Sequence, residues 1–132
     1  MITLKTVEAG KLRHSIDVED FNTLFTDVPA NLGGDGTAPD PHDYFDLSLG
    51  ACKALTIFLY ARHKQLPLEK LTVTVSRDDS QERKGLYQLS VTLAPEGDLS
   101  DEDKAKLVEI GERCPIHKLM TSTEVRIETA LA

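Results

Sequence analysis

The apolar positions of this chain change period along its length, and each change marks an element. Residues 2–7 (Ile-Thr-Leu-Lys-Thr-Val) alternate apolar and polar, Ala9-Gly10 gives a turn, residues 12–18 alternate again, and 22–26 can form a third strand. Residues 31–41 (Asn-Leu-Gly-Gly-Asp-Gly-Thr-Ala-Pro-Asp-Pro) interrupt the pattern, and glycine, proline and small polar residues at this density predict a loop. No Gly-Lys-Ser/Thr follows it, so it does not read as a phosphate-binding loop. Asp40-Pro41 predicts a helix start, with an N-cap carboxylate and a proline at the first helical position. The helix is predicted to run to about residue 64, ahead of Leu66-Pro67. Its apolar residues go nearly all round the axis, which predicts a helix enclosed by other structure, a second subunit included.

Residues 71–75 and 87–93 alternate strictly and are joined by a charged turn over 78–85, which predicts a hairpin. Ser100 followed by Asp103 predicts a capping box, and the helix it opens places Leu107, Ile110 and Cys114 on one face. Pro115 ends that helix and can start another short one. Residues 123–129 alternate as a predicted final strand. Few helices and strands with short connections make this an α+β fold rather than a doubly wound one. Without repeats, low-complexity tracts or a linker, residues 1–132 are expected to form a single domain.

Composition narrows the functional classes. A net charge of −7 argues against nucleic acid and anionic membrane surfaces, since phosphate binding needs a basic patch. The apolar run over residues 45–61 carries Asp46, Ser48, Lys53 and Thr56, so it predicts a buried core helix, not a membrane span. The N-terminal residues form neither an apolar run nor a small-residue cleavage site, so a cytoplasmic location is expected. In that reducing compartment the two cysteines are expected to be free, catalytic or metal-binding rather than a structural disulfide.

Cys52 falls about three turns into the long predicted helix, where the dipole of the helix N-terminus has faded. It is either a small packing residue or a thiolate that needs a cation from elsewhere. An arginine stays charged when buried, and Arg13 on a predicted N-terminal strand could supply it. Cys114 directly precedes Pro115, and as the N-cap of a new helix it would face free backbone N–H groups. A plain capping or core thiol is the alternative. Cys114-x-x-His117, with Cys52, His42 or His63, could also make a zinc site, although no second matching pair exists. A serine hydrolase is not indicated, since Gly-x-Ser-x-Gly does not occur.

The segments Asn31-Leu-Gly-Gly-Asp-Gly, Asp40-Pro41 through Leu49-Gly-Ala-Cys52-Lys-Ala-Leu-Thr, and Glu112-Arg113-Cys114-Pro115 resemble the OsmC/Ohr family of osmotically induced and organic hydroperoxide resistance proteins. The resemblance covers essentially the whole chain and is nearest to the OsmC-like branch. It implies antiparallel strands wrapped around two central helices in an intertwined homodimer, with active sites at the subunit interface. It further implies that Cys52 is a peroxidatic thiol and Cys114 a resolving one, acting on small organic hydroperoxides with an external dithiol reductant and no metal or organic cofactor. The family's site also carries an arginine on an N-terminal strand and an acid just after the proline that opens the long helix. Arg13 matches the first. Many members have a glutamate one or two residues after that proline, where this chain has His42 and Asp43, so Asp43 is the nearest carboxylate.

The expected function is therefore a cysteine-based thiol peroxidase with Cys52, Cys114, Arg13 and Asp43 in its site. The alternative is a non-enzymatic protein of the same fold that binds a small apolar ligand or senses redox state.

Overall fold

The computed structural model describes residues 1–132, which divide into two compact units, 1–45 and 46–132. In the first unit, β1 (Ile2–Thr6), β2 (His14–Val18) and β3 (Leu24–Thr26) form an antiparallel sheet in chain order, with Leu4 opposite Ile16 and Ser15 opposite Phe25. The predicted loop follows, tightened by a single helical turn at Ala30–Leu32.

A long helix, α1 (Pro41–His63), starts in this unit and continues through the second. Its start is set locally. Asp40 Oδ1 accepts from Asp43 N at 2.8 Å, and Asp43 Oδ2 accepts from Asp40 N at 3.0 Å, a reciprocal capping box around Pro41. Its end is also local. Gln65 takes a left-handed conformation (φ 55°), and Leu66 N returns to Ala61 O at 2.8 Å before Pro67 forbids another turn.

In the second unit β4 (Leu68–Asp78) and β5 (Gln88–Gly97) form the predicted hairpin, with Val73 opposite Leu93 and Val75 opposite Val91. Leu71, Val73, Val75, Leu89, Val91 and Leu93 share its half-buried face, and the threonines and serines between them face solvent, as period-two alternation requires. Two further helices follow, α2 (Asp101–Gly111) and α3 (Pro115–Ser122). The Ser100 and Asp103 capping box forms with both of its hydrogen bonds.

Ile57 and Ala61 of α1 meet Leu107 of α2 at the centre of this unit, flanked by Tyr60, Leu66, Leu68, Leu71, Leu93 and Leu99. The helix α1 sits close on β4 because position 50 has no side chain: a Cβ there would lie 2.9 Å from Val75 Cγ2. Close packing at Gly50 fixes the height of Cys52, half a turn further on, above the sheet.

One sequence expectation meets a different outcome. Residues 123–129 form no strand; Thr123 is extended (φ −121°, ψ 136°), but no edge of this chain pairs with the segment, and Val125 and Ile127 are exposed. Alternation is a local signal, whereas a strand also needs a partner. Within the single chain, α1 buries Asp46, Leu49, Gly50, Lys53, Ile57 and Ala61, while Leu47, Leu55 and Leu59 are 58%, 65% and 63% exposed.

The buried acid of α1 ties the helix to the hairpin. Asp46 accepts from Arg77 Nη1 at 2.7 Å and from Tyr87 Oη at 2.6 Å, so both carboxylate oxygens are satisfied. Burial, reinforced by the Asp46 hydrogen bond and charge, pushes the Tyr87 phenol up to about 12, so it stays a donor at physiological pH. Removing one member strands the others. Asp46→Ala is expected to lower the unfolding free energy by about 2–3 kcal/mol, below the usual range for a fully buried pair because Arg77 keeps partial solvent access, as read by urea denaturation. An unchanged midpoint would contradict the anchoring role.

Candidate functional site

The local chain geometry places Cys114 at a helix start. The helix α2 ends at Gly111, the chain passes through Glu112 and Arg113, and Cys114 becomes the N-cap of α3, with Pro115 at the first helical position. The Cys114 Sγ accepts from His117 N at 3.4 Å, the cap contact expected for a thiol at this position. Its side chain is 1% exposed, and Cys52, half-buried on α1, lies near enough to influence it. Both thiols are free.

Burial pushes the Cys114 thiol above its ordinary value. The His117 N–H and the charge of Lys53 pull the other way, while the neighbouring Cys52 adds to the rise. Two thiols in contact resist carrying two negative charges, so ionisation of one disfavours ionisation of the other.

Lys53 directly follows Cys52 in sequence and points into the second unit, 4% exposed. Its Nζ donates to Gly111 O at 2.8 Å and lies 3.1 Å from His117 Nδ1. Gly111 O is one of the terminal carbonyls of α2, where the negative end of a helix favours a cation. Glu112 Oε2 lies 3.7 Å from the same His117 Nδ1 on the solvent side. No group of three His, Cys, Asp or Glu side chains is gathered as metal ligands, and His117 Nδ1 faces Lys53 rather than the sulfurs.

Arg13 and Asp43 belong to the first unit. Arg13 precedes β2, its carbonyl accepts from Val7 N at 3.1 Å, and its guanidinium lies over the Phe25 ring, 4.3 Å from the centroid. Its Nη1 donates to Thr37 O at 3.1 Å. Asp43 takes part in the capping box with Asp40 described above.

The loop that receives Arg13 is organised by Asp27, which sequence reasoning missed. Asp27 is 2% exposed, and its Oδ2 accepts from Thr37 N at 3.1 Å and Thr37 Oγ1 at 2.6 Å, while Oδ1 accepts from Val28 N at 2.8 Å. The chain passes so close here that a Cβ on Gly34 would run into the Val28 carbonyl. Thr37 is thereby held from its amide and hydroxyl, and its carbonyl is left to Arg13. The only sequence signal was an acid beside an apolar run and upstream of a glycine-rich loop, which does not identify its partners. Lys53 left a clearer one, a lysine amid apolar helix positions, which must find buried acceptors if it faces the core.

The sequence model of the OsmC-like protein family matches residues 34–130. No curated protein matches the sequence. Several solved structures are similar. A Psychrobacter arcticus 273-4 protein, named for osmotic stress induction and a detoxification response, is 24% identical, with a TM-score of 0.73 over 92% of this chain and 90% of the other. An OsmC-like protein from Mycoplasma pneumoniae is 19% identical, with a TM-score of 0.73 over 92% of this chain and 86% of the other. The organic hydroperoxide resistance protein OhrB of Bacillus subtilis is 23% identical, with a TM-score of 0.62 over 92% and 90%. At these identities the likeness is one of fold, the same α+β arrangement of antiparallel sheets and helices.

The Asp27 carboxyl is held at about 2 against an ordinary 3.8, the Thr37 hydroxyl being the largest cause and the Val28 N–H the next. A lowered folded-state value means that the unfolded chain takes up the proton first as pH falls. The stabilisation is therefore complete above about 3.8 and disappears as pH approaches about 2. Amide exchange protection at Thr37 and Val28 is expected to persist at about pH 4 and to be lost near pH 2, with Asp27→Ala losing it at neutral pH. Protection that survives Asp27→Ala would remove Asp27 from this role.

Proposed function

This chain belongs to the OsmC-like protein family, and we propose that it is a thiol peroxidase that reduces small organic hydroperoxides through Cys52 and Cys114. The observation that supports this reading is that the half-buried Cys52 lies near enough to the buried Cys114 to help push that thiol above its ordinary value. The names of similar structures, which include organic hydroperoxide resistance proteins, agree with it. No helix is long and apolar enough to cross a membrane, so an aqueous setting for this chemistry needs no special provision in the fold.

In this reading the Cys52 thiolate attacks the outer oxygen of a hydroperoxide. A sulfur–oxygen bond forms, the oxygen–oxygen bond breaks, and the departing alkoxide takes a proton to leave as an alcohol. Cys114 then attacks the Cys52 sulfenic acid. The disulfide forms, the sulfur–oxygen bond breaks, and the oxygen leaves as water with the proton Cys114 gives up. An external dithiol returns both thiols. Arg13 is the proposed cation for the peroxide and the Cys52 thiolate, with Asp43 as the nearest match to the family's acid. The active form is proposed to be an intertwined homodimer of one-domain chains, which would cover the apolar face of α1 at Leu47, Leu55 and Leu59.

A second reading, a redox sensor or small-ligand binder of the same fold, is favoured by the upward shift of Cys114, which keeps that thiol protonated at neutral pH. Peroxide consumption separates the two. With cumene hydroperoxide and a dithiol, Cys52→Ser is expected to lower turnover by roughly a hundredfold or more. Cys114→Ser should still consume one equivalent of peroxide and leave a trappable sulfenic acid. Equal rates for wild type and Cys52→Ser would end the peroxidase reading, and two unreacted thiols by mass spectrometry after mild peroxide would favour the ligand binder.

A further inference from the structure

The junction between α2 and α3 carries Cys114 but has little apolar packing of its own. Glu112 and Arg113 are exposed, and no residue of α3 is buried within the single chain. A thiol that closes a disulfide needs a narrow geometry, which loose packing of α3 does not provide. Lys53 supplies a restraint of another kind. It is 4% exposed, its Nζ donates to Gly111 O at 2.8 Å, and the same atom lies 3.1 Å from His117 Nδ1. Gly111 is three residues before Cys114 and His117 three residues after it, so one side chain grips the backbone path on both sides of the thiol.

Each grip point leads towards the sulfur. Gly111 is pressed against the core: a Cβ there would lie 3.2 Å from Ile57 Cδ1 and 3.4 Å from Leu93 Cδ1. Its carbonyl is therefore a firm anchor at the negative end of α2. On the other side, His117 donates its backbone N–H to Cys114 Sγ at 3.4 Å while its ring faces Lys53. The sulfur is thus connected to Lys53 through a single residue, and Lys53 directly follows Cys52 in the chain. We propose that Lys53 is a positioning residue for Cys114, setting its sulfur against Cys52 through Gly111 and His117. The inference rests on the paired-thiol reading above and adds to it a residue that governs the resolving step by acting through others.

In that step the Cys114 sulfur bonds to the Cys52 sulfur, the sulfenic sulfur–oxygen bond breaks, and the hydroxyl leaves with the Cys114 proton as water. Lys53 gives up nothing and accepts nothing. It restricts the conformations of the α2–α3 junction, which raises the effective concentration of one thiol at the other. A lysine that only stabilised the end of α2 would need the Gly111 contact and not the one to His117. Its loss would then act on stability and leave the thiol pair as it was.

The test reads a thiol–disulfide equilibrium rather than peroxide turnover. The full chain is equilibrated with mixtures of reduced and oxidised glutathione, and the Cys52–Cys114 disulfide is quantified by mass spectrometry. The two protein thiols give two electrons and two protons to oxidised glutathione, which becomes two reduced glutathione molecules. The equilibrium constant measures the effective concentration of the pair. Lys53→Met, which keeps the side chain's length and removes its ammonium, is expected to lower that constant about tenfold or more, since a misplacement on the order of 1 Å can cost an intramolecular step about a hundredfold. His117→Ala should lower it less, and the double variant should fall no further than Lys53→Met. Asp46→Ala, which weakens a different anchor of α1, provides the comparable loss of stability and is expected to keep the wild-type constant. A folded Lys53→Met chain with the wild-type constant overturns the proposal, and so does an equal fall in Asp46→Ala. If Lys53→Met does not fold, His117→Ala decides, and an unchanged constant there overturns it. A wild-type chain that forms no Cys52–Cys114 disulfide ends the paired-thiol reading and this inference with it, an outcome visible before any variant is compared.

Discussion

A lysine on the core side of a helix must bring its hydrogen-bond acceptors with it, and in this chain that requirement organises the end of the second unit. The Lys53 ammonium reaches Gly111 O and His117 Nδ1, which belong to two different helices. The end of α2 and the first turn of α3 are therefore fixed relative to the middle of α1. Cys114 lies between those two contacts in sequence, so the same clamp sets the position of its sulfur against Cys52. Gly50, just under one turn earlier on the same buried face of α1, lets the helix approach Val75 closely. Packing fixes the helix, and the buried charge fixes what meets it.

Each unit uses the same device, a buried ionic group satisfied from several directions. Asp46 gathers Arg77 and Tyr87 in the second unit, and Asp27 gathers Val28 and Thr37 in the first. No buried side-chain nitrogen or oxygen lacks a partner. Such groups add modest net stability compared with apolar packing, but they penalise every arrangement that leaves them unpaired. That penalty suits the proposed site, in which thiols must be held at reacting distance, since an apolar contact alone tolerates more sliding.

The parts of this fold that were legible in sequence are those settled within a few residues. Asp40-Pro41, Ser100 with Asp103, and Cys114-Pro115 all form the helix starts their chemistry predicts, because an N-cap needs only its own next turn. The hairpin was legible because its alternation and its turn lie in one stretch. Lys53 was noticed only as a polar residue that excludes a membrane span. Its partners could not be read, because they depend on where α2 stops, some 58 residues further along the chain. The Asp27 contacts to Thr37 fall in the same class, closed across a loop whose path no local rule specifies. The proposed pairing of Cys52 with Cys114 comes only from their joint motif context; helical periodicity alone left Cys52 as packing.

The element that failed follows from the same division between local and distant constraints. Residues 123–129 carry a strand pattern as regular as that of β4, yet they form no strand. A regular alternation with Val125 at 57% and Ile127 at 82% exposure is a poor arrangement for an isolated chain, since the apolar side gains nothing from the order. The outer face of α1 has the same property at Leu47, Leu55 and Leu59, and so does β1, where Ile2 and Leu4 are exposed. Three separate elements thus encode an apolar face that a single chain does not cover. Exposed apolar side chains scattered over a surface need no explanation, but exposed faces with the correct period for a strand or a helix do. The proposed homodimer supplies one, because a second copy would offer both a strand edge and an apolar helix face, and the sequence pattern would then be correct for the assembly rather than for the single chain.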